Sequence, residues 1–329
     1  MHRTRLAYQS KSSVIWHCAL ALACWQFLYP AQGASAEKGS TQFGVVLLHD
    51  PAFQLGLRVW DPKPGKHVAR GFLRPNPATS ASEPVWGLAQ WNSKFSLAGS
   101  QPTRLASGGI RFSNEAKAVT FGPPGSVDAD LLLAINSGRE YGKRLRQPGE
   151  PWPHLLISQN IENGPLLVKL TQLHFHLEYR VRCAQLFRKE TAKPNLHAAQ
   201  LLAFLTVQNC NQQSKGYGDY LWVGIPLYDS RNREAKTYAA MDSGTGKFIY
   251  TPAATNYTTV SAHTGCWVTI DRDLLPLILD GLKTAWGRNF LKGSQDLNDF
   301  CIGGFNLGWE LPGSFDAEAQ IRGLALEAK

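Results

Sequence analysis

The sequence predicts an all-β sandwich, and three observations carry that prediction. Gly and Pro (30 and 19 residues) make up about a seventh of the 329-residue chain, which suits short elements joined by many turns. Aromatic residues reach 11%, and they recur in short runs bounded by turn residues, as strands require. Only one stretch has the 3.6-residue apolar spacing of a long helix. With 43% hydrophobic and 18% charged residues, the composition excludes a disordered chain or a coiled coil.

In chain order, His2, Arg3, Arg5 and Lys11 precede an apolar run over 14–28, and Ala34-Ser35-Ala36 then offers a small-residue cleavage site. This order reads as a secretory signal removed after Ala36, leaving 37–329 as one large domain, secreted or periplasmic. The run is shorter than the roughly 20 residues of a stable membrane span. Loss of Arg3, Arg5 and Lys11 takes the net charge from +9 to +6. That excess is spread along the chain without a basic stripe, so a nucleic-acid partner is not expected. Cys18 and Cys24 leave with the signal. Cys183, Cys210, Cys266 and Cys301 remain, and in an oxidising compartment four cysteines predict two disulfides, for which sequence order favours 183 with 210 and 266 with 301.

Strands are predicted over 43–48, 55–60, 85–91, 118–121, 131–135 and 154–158, with a long Gly-, Pro- and Arg-containing loop over 139–153. From 172 onwards the alternation assigns faces. Leu173, Phe175, Leu177, Tyr179, Val181 and Cys183 alternate with Gln172, His174, His176, Glu178, Arg180 and Arg182, so one face is core and the other polar. Leu221, Val223 and Ile225 oppose Tyr220, Trp222 and Gly224. Leu307, Trp309 and Leu311 oppose Asn306, Gly308 and Glu310, which turns Glu310 away from the core. The helix is expected over 274–286, with Asp273 as cap, Pro276 in the first turn and a stripe of Leu274, Leu275, Ile278, Leu282 and Trp286 packing on the convex side of the sandwich.

Three segments in the final third, QLLAFL from Gln200, DLLPLILDGL from Asp273 and GWELPG from Gly308, follow one another in the order found in family-twelve glycoside hydrolases. Over roughly 198–328 the chain resembles that family of endoglucanases and xyloglucanases. The resemblance implies a concanavalin-like jelly roll with a short cord helix, a polysaccharide or oligosaccharide ligand in a concave cleft, and no cofactor. Retaining hydrolysis needs two carboxyl groups about 5 to 5.5 Å apart. Glu310 occupies the acid/base position, and Gly308 leaves room beside it for a sugar. The nucleophile position holds Gln200, whose amide cannot attack an anomeric carbon, so Glu178 on the preceding polar face is the replacement candidate. Where the family has a Tyr-Asp pair, this chain has Tyr179-Arg180.

Trp222 and Tyr220 are the sugar-stacking candidates, with His174, His176, Arg180, Gln200 and Asn306 as polar contacts; the competing reading makes the two aromatics core. His174, His176 and Glu178 form an H-x-H-x-E run. Same-face neighbours on a strand are nearly 7 Å apart, so three of them are poorly placed around one ion and no metal is expected. Two further readings stay open: a polysaccharide lyase using Arg144, Arg180 or Arg182 to neutralise a uronate, and a non-catalytic glycan-binding or envelope protein.

Overall fold

A computed structural model describes residues 44–329 other than 80–81, 124–127, 143, 188, 243 and the side chain of residue 190. The export-signal segment lies outside the described residues. Among them, strands form two sheets packed face to face. The first runs β15 (Val268–Asp273), β10 (Leu173–Leu186), β17 (Phe315–Ala328), β8 (Leu131–Asn136), β7 (Lys117–Phe121), β6 (Ile110–Ser113) and β5 (Pro102–Arg104), with the short β1 (Val45–Val46) also paired to β17. The second runs β13 (Tyr238–Met241), β14 (Phe248–Thr251), β12 (Tyr220–Asp229), β11 (Gln200–Asn209), β16 (Phe300–Glu310), β9 (His154–Asn160), β4 (Trp86–Ala89), β2 (Leu57–Trp60) and β3 (Ala69–Leu73). The protein is a β jelly-roll sandwich. Neighbours in the sheets are antiparallel except β12 with β14 and β2 with β4.

The period-two pattern places the core between the sheets. Phe175 and Leu177 of β10 meet Phe305, Leu307 and Trp309 of β16 in one continuous apolar cluster, and the rings of Phe175 and Phe305 lie 6.0 Å apart. Trp309 Nε1 donates to Leu133 O on β8 at 3.1 Å, which gives the buried indole N–H a partner on the opposite sheet. The long strands β10 and β17, 14 residues each, pair along their length with register shifts between His176 and Glu178 and between Val181 and Cys183.

The helix α1 spans Leu275–Gly287. Pro276 falls in the first turn as expected; the cap position is Leu274, which makes no side-chain cap, and Asp273, expected there, stands one residue earlier with Oδ1 accepting from Leu275 N at 3.0 Å. Its Ile278, Leu282 and Ala285 are buried in the common core, against β12 and β14. Gly281 permits the approach: a Cβ there would stand 2.8 Å from Tyr250 Cδ1. The helix thus covers the inner face of the nine-stranded sheet.

At one end of the sandwich, Lys117 at the start of β7, Ser93 after β4 and Glu140 after β8 form a buried polar cluster. Lys117 Nζ donates to Ser93 Oγ, Ser93 Oγ donates to Glu140, and Lys94 N donates to Glu140 Oε2 at 2.8 Å. Burial lowers the Lys117 pKa to about 8. The cluster ties segments of both sheets together.

Candidate functional site

The outer face of the nine-stranded sheet, turned away from the core, holds a row of four polar side chains. Strand register creates it: Glu310 is directly opposite His154 on one side and Gln200 on the other, and Gln200 is directly opposite Asp229. Residues paired across antiparallel strands share a face, so His154, Glu310, Gln200 and Asp229 stand side by side across β9, β16, β11 and β12. All four are buried, Glu310 to 1% exposure. His154 Nε2 lies 3.8 Å from Glu310 Oε2. Burial lowers the His154 pKa to about 4, so the imidazole is neutral near pH 7 and the contact is not an ion pair. Asp229 is engaged on both oxygens: Arg231 donates from Nε at 2.8 Å to Oδ1 and from Nη2 at 2.6 Å to Oδ2, and Gln200 Nε2 donates to Oδ2 at 3.2 Å.

Aromatic rings surround the row. Trp222 meets Phe204 and Tyr220 edge to face at 5.8 and 5.3 Å, while Trp91 and Trp152 lie 6.0 and 6.2 Å from His154. Beyond Trp91, His67 stacks on Trp60 at 4.2 Å, and the Trp60 indole lies across Gly87, where a Cβ would be 2.0 Å from Cζ2. A cavity of about 730 Å³ opens beside Trp60, lined on this face by Arg58, Gly87, Ser158 and Asn160. Among these rings the Nε1 atoms of Trp91, Trp152 and Trp222, both nitrogens of His154 and Oδ1 of Asn306 are buried without a hydrogen-bond partner. Native proteins leave few such atoms.

The residues selected from sequence divide between two surfaces. Gln200, Tyr220, Trp222, Asn306 and Glu310 share the outer face of the nine-stranded sheet. His174, His176, Glu178 and Arg180 do not join them. Their strand, β10, belongs to the other sheet and pairs with β15 and β17, and its polar face looks out on the opposite side of the sandwich. There Glu178 pairs with Arg322 at 2.6 Å, and His174 and His176 meet Asp271 at 2.6 and 3.4 Å. The His174 hydrogen bond is the main cause holding the Asp271 carboxyl below its usual range. Glu178 therefore cannot act with Glu310; the two carboxylates are separated by the whole core. Arg180 stacks at 5.0 Å on Trp267, which also takes Arg322 at 4.1 Å.

Three smaller expectations are also corrected. Gly308 does not make room for a ligand: a Cβ there would be 2.1 Å from Leu155 O, so the glycine serves the close approach of β9 to β16. Trp222 and Tyr220 are not open platforms, at 1% and 3% exposure, and pack as a second apolar cluster with Leu202 and Phe204. The four cysteines of the described chain are thiols, and the pairing taken from sequence order is not formed. Cys183 lies on β10 and Cys210 just past β11 in the other sheet. Cys210 instead hydrogen-bonds Cys301, which lowers the Cys210 thiol to about 7 and raises that of Cys301.

His154, Asp229 and Trp60 were not legible as site residues. His154 opens a strand whose residues are buried on both faces, so no alternation marks it. Asp229 would fall on the core face if the alternation of 220–225 continued, but a bulge opposite Leu201 and Leu202 shifts it to the outer face. Among the described residues, no group of three or more His, Cys, Asp or Glu side chains is placed to hold a metal ion, and no helix is long and apolar enough to cross a membrane.

Fold and site together define a jelly-roll sandwich with a buried acid row on one outer sheet face. No protein-family model matches the chain, and no curated protein matches it in sequence. Among solved structures it is similar to a ligand complex of a family 12 xyloglucanase from Bacillus licheniformis, at 11% identity over 70% of this chain and 97% of that one, with a TM-score of 0.41. It is similar to the xyloglucanase domain of a type three effector from Sinorhizobium fredii in complex with cellobiose, at 12% identity over 69% and 100% of the two chains, TM-score 0.36. A family 11 xylanase from Neocallimastix patriciarum gives 10% identity over 70% and 95%, TM-score 0.34.

Proposed function

We propose that this protein binds a polysaccharide on the outer face of its nine-stranded sheet and does not hydrolyse it with retention. The cavity beside Trp60, which sets an aromatic ring next to the polar side chains of Arg58, Ser158 and Asn160 on that face, carries the reading. A sugar offers that combination in return: hydroxyls that both donate and accept, and C–H faces that pack on aromatic rings. The residue opposite Glu310 is Gln200, so the row lacks the adjacent second carboxylate of a retaining pair. The same proposal puts the protein outside the cytoplasm, on the order of basic, apolar and small residues within 1–36. In an oxidising compartment Cys210 and Cys301, as neighbours, are then the thiols to examine for a disulfide.

One observation favours a second reading. Asp229 stands in the row two strands from Glu310, a backbone separation of roughly 10 Å at ordinary strand spacing, which suits the wider carboxylate pair of an inverting hydrolase. The Arg231 ion pair opposes it, because its guanidinium already occupies both Asp229 oxygens.

Affinity electrophoresis against a panel of neutral and acidic polysaccharides, with reducing ends assayed in parallel, tests both. Retardation without new reducing ends supports the binding reading. New reducing ends of inverted configuration that vanish in Asp229→Asn replace it with the second, and absence of retardation by every polysaccharide overturns it.

A further inference from the structure

Beyond Tyr220, at the end of the same sheet, a second cavity of about 510 Å³ lies between the β11–β12 hairpin and the segment after α1. Lys215, Lys247 and Lys292 line it, with Asp219 as the acid and Tyr217 and Phe290 as the aromatics. Asp219 Oδ1 is taken by Lys247 Nζ at 2.6 Å. Among the described residues no ion pair reaches Lys215 or Lys292, so the cavity keeps an excess of two positive charges.

The two loops touch backbone to backbone. A Cβ on Gly293 would stand 2.3 Å from Gly216 Cα, and each glycine directly follows one of the two lysines. That contact holds Lys215 and Lys292 on neighbouring stretches of chain, where their like charges repel until an anion joins them. The loops are also braced independently of any ligand. Asn209 Nδ2 donates to Ser214 Oγ at 2.8 Å, Asn211 Nδ2 to Asp299 Oδ1 at 2.6 Å, and Trp286 Nε1 to Ser294 O at 3.0 Å. Leu291 holds a left-handed φ of 52°, a conformation disfavoured for a residue with a side chain.

Lys247 joins this cavity to the polysaccharide face. Its ammonium lies 5.1 Å from the centre of the Tyr220 ring, which meets Trp222 edge to face. We infer that the Lys215–Lys247–Lys292 cavity is a subsite for the carboxylate of a uronic acid residue, so that the glycan bound along the sheet is an acidic one. The inference rests on the glycan-binding reading above and names its ligand class. A carboxylate fits because its two oxygens can accept from Lys215 and Lys292 and its charge offsets half of the excess, and Tyr217, 44% exposed, offers the sugar ring a face.

Titration calorimetry with an oligouronate hexamer and a neutral glucose hexamer tests it on the full chain. At low ionic strength the oligouronate is expected to bind about ten-fold tighter than the neutral hexamer, and the preference to shrink as salt screens the lysines. The double substitution K215A/K292A, on exposed side chains, is expected to bring the oligouronate down to the level of the neutral hexamer. Equal affinities in the wild type, a preference that salt does not reduce, or a preference that survives in K215A/K292A overturns the subsite while leaving the glycan reading in place. If neither hexamer binds, the glycan reading falls, and this inference falls with it.

Discussion

Glu310 and Glu178 both occupy the polar side of an alternating strand, and each stands beside a histidine. Glu310 is 1% exposed next to a neutral His154, within rings whose own polar atoms lack partners. Glu178 is 28% exposed by side chain, ion-paired with Arg322, on a face where His174, Asp271 and Arg182 also have charged neighbours. The difference is one of solvent. Where water reaches a face, charges pair loosely and each pair contributes little. Where water is excluded, every unmatched donor or acceptor costs about 1 to 3 kcal/mol, so the outer face keeps its buried polar atoms at a cost to stability.

The largest effect that tests this contrast is Trp222→Ala, expected to cost about 3 to 5 kcal/mol, as for other fully buried tryptophans. Denaturant unfolding measures it beside Trp309→Ala, which fills the inner core and should lose a similar amount. A cost under about 1 kcal/mol for Trp222→Ala would show the outer face to be open after all.

Next in size is a pH effect from His154. Its pKa falls from an ordinary 6.5 to about 4 on folding, so between those values the unfolded chain binds a proton that the folded chain refuses. Stability is full above pH 6.5 and declines as the pH falls toward 4, by about 3 kcal/mol. Denaturation midpoints from pH 7 to 4 should show this decline in the wild type and less of it in His154→Gln.

On the exposed sheet, Glu178→Gln is expected to change stability by less than about 1 kcal/mol, with the difference shrinking in high salt. A larger loss would mean that Glu178 is more constrained than its surroundings indicate. The smallest stability change is expected from Trp222→Phe. It removes a buried indole N–H that has no partner, a gain that offsets the loss from the smaller ring, so the net change in unfolding should be small.

Much of the architecture was readable in advance for a local reason. The alternation in 173–181, 220–225 and 306–311 assigned faces that the strands keep, since successive side chains on a regular strand point to opposite sides; the shift in register between Val181 and Cys183 takes Cys183 off the core face it was assigned. The resemblance assigned Gln200 and Glu310 to the family's nucleophile and acid/base positions, and the register pairs the two directly. The helix was legible from Pro276 in its first turn and its stripe of Ile278 and Leu282.

What the sequence determined by itself was therefore the class of fold, the face on which each residue of a regular alternating strand stands, and the presence of a glutamine where a second carboxylate was sought. Tertiary structure alone decided that β10 pairs with β15 and β17, which sends Glu178 to the far side of the core, and that a bulge in β12 turns Asp229 into the row beside Gln200. It also decided which of two polar faces loses its water. Side-chain alternation is a property of consecutive residues, whereas strand partners, bulges and burial depend on contacts between residues more than a hundred positions apart, such as His154 with Glu310, and no local pattern encodes them.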